Sequence, residues 1–160
     1  PKKATGRYVA EAGETDKKTH VVMGWLLGES ANLVEQLEAH LLSNILLENS
    51  ASPLRKALEQ SDYGMAPSPL CGLEDTSREM VFVCGLEGTD AEHAEAIETL
   101  ILSTLNQVVA DGVPLDNVEA VLHQLELSQR EIGGGHYPYG LQLMLGCLFA
   151  AWRRVAIWVV

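Results

Sequence analysis

The chain has 160 residues, enough for one domain that buries about 70% of its unfolded surface. Hydrophobic residues make up 47% of it, yet no apolar run reaches the roughly 18 residues of a membrane span. The net charge is −11, and between Thr19 and Trp152 the basic residues are Arg55, Lys56, Arg78 and Arg130. That stretch holds all 22 acids except Glu11, Glu14 and Asp16, so it has no basic patch for nucleic acid.

An acidic surface suits a cationic peptide partner. It also serves solubility alone, which is the plainer reading.

Residues 1–18 are polar and charged and read as a linker or arm. Thr19 to Leu27, bounded by Gly28, reads as a buried strand. Asn32 and Glu35 have capping-box spacing. Behind them Leu33, Leu37, Leu41 and Ile45, with Val34, Leu42 and Leu46, predict a helix to about Glu48 whose leucine stripe is core. Ser52-Pro53 restarts a short helix to Gln60, because proline suits the first helical position.

Met65 to Gly72 reads as a strand carrying Pro67 and Pro69 two residues apart. Proline lacks an N–H and is kept out of central strands. Positions i and i+2 face the same way, so both lost donors fall on one side and the other side can still pair. That predicts an open sheet edge offering carbonyls, with Cys71 supplying the first N–H. A turn at Glu74-Asp75-Thr76-Ser77 then leads into a strand from Arg78 to Leu86. This register sets Cys71 near Met80 and Cys84 near Pro67, so the two thiols are not opposed and a bridge is disfavoured. With Cys147 there are three cysteines, no disulfide framework, and a chain suited to a reducing compartment.

Thr89 with Glu92, and Asp116 with Glu119, repeat the capping-box spacing ahead of two more helices. Ala94, Ile97, Ile101, Leu105 and Val108 make the inner face of the first, and Val118, Val121, Leu122 and Leu125 that of the second. Gly133-Gly134-Gly135 stops the second, and a last helix runs from Leu141 to about Arg154. The order β-α-α-β-β-α-α-α predicts an α+β fold. Its antiparallel sheet has about three strands in the order 2-3-1, with helices on one face, and 65–72 falls at the edge. Residues 19–152 read as the domain and 153–160 as an apolar tail of the kind an expression vector or an altered reading frame adds. The missing initiator methionine and the apolar close suggest a piece of something longer.

Motifs for chemistry are thin. His123-Gln124-Leu125-Glu126-Leu127 has part of a zinc-peptidase helix, but Leu127 stands where the second histidine belongs. The glycine triplet follows a helix and lacks the Lys-Ser/Thr of a phosphate loop. No catalytic or metal-ligating residue is assigned. Tyr137 and Tyr139 could contact a peptide, though packing at a helix entry is the commoner use.

The stretch Glu48-Asn49-Ser50-Ala51-Ser52-Pro53-Leu54-Arg55-Lys56-Ala57-Leu58, followed by Asp62-Tyr63-Gly64, resembles the pitrilysin/insulinase family of zinc metallopeptidases, in its presequence-protease branch. Gly88-Thr89-Asp90, Gly112-Val113-Pro114 and His136-Tyr137-Pro138-Tyr139-Gly140-Leu141 add to the likeness, which spans about Lys18 to Trp152. The resemblance implies a second, non-catalytic domain in the N-terminal half of an enzyme whose domains enclose a chamber. Zinc belongs to the parent enzyme and not to this chain. The implied partners are a peptide substrate and the parent's other domains, with neither nucleic acid nor membrane. The implied compartment is an organellar matrix or a bacterial cytoplasm. By position, it also implies peptide anchoring by strand addition at Pro67, Pro69, Leu70, Cys71 and Gly72. A stand-alone module that pairs through the same edge is the competing reading.

Overall fold

The computed structural model describes residues 2–9, 17–130 and 138–155. Gly133-Gly134-Gly135, His136, Tyr137 and the last five residues of the expected tail lie outside these. The elements are β1 (Thr19–Glu29), α1 (Leu33–Leu47), α2 (Pro53–Glu59), β2 (Ala66–Pro67), β3 (Gly72–Glu74) and β4 (Glu79–Thr89). A 3-10 turn at Ala91–His93 then leads into α3 (Ala94–Asp111), α4 (Leu115–Arg130) and α5 (Tyr139–Val155). The class is α+β with an antiparallel sheet, as expected. The sheet order is β1-β4-β2, and β3 also pairs with β4. The first strand therefore lies beside the last, and the proline-bearing segment lies outside.

Side-chain alternation along β4 builds the core. Met80, Phe82, Cys84 and Leu86 are buried, and the last three cluster with Leu46, Leu47, Leu54, Leu58, Ile97 and Ile101. Leu54, Leu58, Met80, Ile97 and Ile101 are at most 1% exposed, so truncating any of them to alanine costs about 2–5 kcal/mol. Trp25 of β1 packs on Phe82 with ring centroids 6.0 Å apart. Gly85 is required where β4 meets β1, because an added Cβ there would lie 2.1 Å from the Val21 carbonyl oxygen.

Helix α1 turns differently from the expectation. Ala39, Ser43, Leu46 and Leu47 are its buried residues, while Leu33, Val34, Leu37 and Leu42 are exposed. Apolar residues encircle this helix, so periodicity favoured the larger side chains. The small Ala39 and Ser43 instead let the helix approach its neighbours closely. Asn32 caps α1 as expected, accepting from the Val34 N–H at 3.2 Å. Glu35 does not close the box: it accepts from the Glu29 N–H at 3.0 Å, tying the end of β1 to the helix. Neither later box forms. Thr89 donates its hydroxyl to the Tyr63 carbonyl, and Pro114 rather than Asp116 receives the first amides of α4.

Candidate functional site: the proline edge

The outer margin of β2 and β3 is not one strand. Ser68 donates its N–H to the Gly85 carbonyl at 2.9 Å, which fixes that part of the chain to β4. Immediately afterwards the Cys71 N–H turns back to the Ser68 carbonyl at 3.0 Å, closing a turn over Ser68-Pro69-Leu70-Cys71. Pro69 sits at the second position of this turn, where its fixed φ is favoured. The two prolines therefore do different work. Pro67 lies in a paired strand and blanks one outward donor, whereas Pro69 bends the chain out of the sheet. Gly72, with φ of +134°, brings the chain back into pairing, a backbone conformation that glycine adopts without strain.

The turn changes the register. Pro67 pairs with Leu86, but Gly72 pairs with Val83, so the segment between holds two more residues than β4 offers opposite them. The expected pairing of Cys71 with Met80 and of Cys84 with Pro67 is thus replaced. Cys71 instead lies beside Gly85, its thiol donating to the Gly85 carbonyl at 3.4 Å. Both thiols are free. Burial pushes the Cys84 thiol up to about 12, with the neighbouring Cys71 adding to the rise. Burial also raises the Cys71 thiol. Neither is an activated nucleophile.

Backbone direction along the edge follows from the Ser68–Gly85 bond. Gly85 faces the β2/β3 side, so alternation turns Val83 and Val81 that way too, against Gly72 and Glu74. Leu73 then points its own N–H and carbonyl outward. Cys71, expected to offer the first outward donor, has its N–H committed to the turn, and Leu73 takes that place. The sequence signal for this was Ser-Pro-Leu-Cys read as a turn with proline second, rather than as strand.

Surroundings differ along the edge. Met65 and Leu70 are 75% and 64% exposed, while Ser68 is buried. At the far end the Thr76 hydroxyl and N–H bind Glu74 and hold its carboxyl below the usual carboxylate range. Gln36 and His40 of α1 both reach the Asp75 carboxylate, at 2.7 and 3.1 Å, and pin the following turn to the helix layer. At the near end Tyr63 stacks on His93 at 5.6 Å, beside a shallow groove lined by Glu95, Ala96, Thr99, Leu100 and Ser103. Tyr139 opens α5, which makes no extensive contact with β2 or β3 among the described residues.

The His123–Glu126 pair lies on the exposed face of α4 at 3.9 Å, with Glu126 also held by Arg130. Among the described residues no three His, Cys, Asp or Glu side chains are grouped to hold a metal ion. The described donors do not make a zinc site.

Residues 1–125 match the peptidase M16 inactive domain. The chain belongs to this family. It is 38% identical over 134 residues to presequence protease 1, chloroplastic/mitochondrial, of Arabidopsis thaliana, covering 83% of this chain and 12% of that protein. Mitochondrial presequence proteases of Yarrowia lipolytica and Xenopus tropicalis are 30% and 33% identical over 84% and 74% of the chain. The M16 chain spans about an eighth of the length of these relatives, 12–13% in each case. The match takes in residues 2–9 as well, where Lys3 pairs with Glu98 at 2.9 Å.

Proposed function

We propose that this M16 domain is a non-catalytic part of a zinc-dependent peptidase that degrades unfolded oligopeptides. In that enzyme it would wall the chamber and hold peptide by backbone pairing along 65–74. The observation that carries the reading is the match to the inactive domain across 125 residues, beside relatives named as presequence proteases. The edge geometry supports the binding part. Pro67 offers a carbonyl with no competing N–H, and Leu73 offers both groups. Pro69, Leu70, Cys71 and Gly72 form the arch between these two points, and Tyr137 and Tyr139 stay as outlying candidates. The acidic surface would favour peptides rich in arginine and poor in acids. Zinc would reside in another domain, in a cell compartment of the kind the relatives' names give, a mitochondrial or plastid interior. A reducing bacterial cytoplasm would serve equally.

The test is amide chemical-shift mapping of the 160-residue chain with an unfolded, arginine-rich peptide. Shifts concentrated at Ala66, Pro67 neighbours and Leu73 support the reading. Shifts confined to other surfaces overturn the edge. Chelator-sensitive peptide cleavage by the pure chain overturns the non-catalytic role.

A further inference from the structure

Strand β1 lies at the opposite margin of the sheet, and its free side has none of the features that guard the proline edge. It runs eleven residues, Thr19 to Glu29, and pairs with β4 alone among the described residues. Its register is regular from Val21 to Leu26, opposite Leu86 to Val81. Since Gly85 faces β2/β3, alternation turns Phe82, Cys84 and Leu86 toward β1. Their partners Trp25, Met23 and Val21 are therefore the laddered residues of β1. Val22, Gly24 and Leu26 turn their N–H and carbonyl groups to the other side, where no described strand pairs with them. No proline and no lysine interrupts this row. A long, regular, apolar edge of this kind is the pattern that folded proteins avoid leaving bare.

The core ends abruptly on the same side. The inner-face residues of β4 are at most 5% exposed. Those of β1, namely Val21, Met23, Trp25 and Leu27, are only partly buried and sit at the margin of the core cluster. On the outer face Val22 and Leu26 are 41% and 71% exposed. Both the backbone row and the apolar layer are thus cut at one line, and one added strand with alternating apolar residues would satisfy both. The chain covers about an eighth of its relatives' length, 12% of the Arabidopsis protein, so such proteins have ample polypeptide to supply it.

We propose that the β1 edge is the seam at which another part of the same full-length peptidase adds a strand to this sheet. The inference rests on the reading of the chain as one domain of a larger peptidase. It separates two kinds of edge. The β1 edge is permanently filled by the protein's own chain, and the guarded β2/β3 edge is left for visitors.

Residue-resolved amide exchange tests it, on the 160-residue chain and on the complete product of its reading frame. In the chain alone, Val22, Gly24 and Leu26 should exchange at least about 100-fold faster than Val21, Met23 and Trp25, because outward amides have no partner. In the complete protein that alternation should vanish, with all six within about tenfold. Alternation that persists in the complete protein overturns the proposal. So does its loss in the chain alone through concentration-dependent dimers, which would make a second copy the occupant. Protection that appears only on adding peptide overturns it in favour of substrate, and a reading frame encoding nothing beyond this chain removes the proposed donor. Peptide cleavage by the complete protein, with and without chelator, is scored separately. Cleavage with persistent alternation sinks the seam alone, and a flat profile without cleavage sinks the peptidase reading alone.

Discussion

Strand β1 runs eleven residues along one margin of the sheet without a proline, whereas β2 and β3 supply two and three residues on the other, split by a turn. Both margins lean on the same central strand, so β4 cannot explain the difference. One margin has its outward donors thinned by Pro67 and its chain lifted away by Pro69. The other offers an unbroken row and a half-covered core. An edge that must stay available without aggregating needs such guards, and an edge that is always covered does not. The contrast therefore says more about how this domain is used than either edge does alone.

The largest expected effect tests which residues of β1 belong to the ladder. Met23→Pro removes a donor that faces β4 and should cost about 3 kcal/mol or more. Val22→Pro removes an outward donor only and should cost under about 1 kcal/mol in the isolated chain. Urea unfolding of the two variants reads the difference. Equal losses would mean that the alternation assigned to β1, and with it the free row, is wrong.

A middle-sized effect probes the other margin through Cys84, a core residue with Cys71 of the arch as its neighbour. Its thiol stands at about 12 in the folded chain against 9.0 when unperturbed, because burial disfavours the thiolate. Between those values the folded state holds the proton that the unfolded state has lost. Stability is therefore fully present below pH 9 and falls as pH rises, by at most about 1.4 kcal/mol per pH unit. Cys84→Ala should cost about 1 kcal/mol near neutrality and flatten that decline, the background from other groups cancelling in the comparison. In labelling with a thiol reagent, exposed Cys147 should react first, Cys71 later and Cys84 only on unfolding. Rapid labelling of Cys84 in the native state would show that the core beside the arch opens readily.

Much of this arrangement was legible before any coordinates. Proline spacing and strand order each put 65–72 at the margin, and Ile97, Ile101, Leu105 and Val108 were placed correctly on the inner face of α3. Register was not legible. The Ser68–Cys71 turn inserts two residues that a continuous strand would not hold, and this places Cys71 beside Gly85 rather than Met80. Nor was the inner face of α1, because Ala39 and Ser43 are chosen for closeness to neighbours that one helix's periodicity does not reveal. The free side of β1 is not legible in the sequence for a related reason. Alternating burial along a strand shows which face meets the core, but an edge is defined by the partner that is missing.

The smallest effects come from the two prolines, and they should separate cleanly. Pro67→Ala restores an outward N–H on a paired strand, so stability should move by no more than about 0.5 kcal/mol while self-association tightens about 2- to 10-fold, the worth of one added hydrogen bond. Pro69→Ala frees the second position of a turn whose closing bond is 3.0 Å, and its cost should be about 0.4–1 kcal/mol, chiefly through a less restricted unfolded chain. It should leave association unchanged, because the turn still carries that residue out of the sheet plane. Sedimentation velocity and urea midpoints on the same samples distinguish the two. If Pro69→Ala associates as strongly as Pro67→Ala, the arch is no barrier and the guarded margin is guarded by missing donors alone. If neither associates, the short length of β2 and β3 already suffices, and Pro67 then has to be explained by what it leaves exposed to a peptide: a carbonyl with no donor beside it.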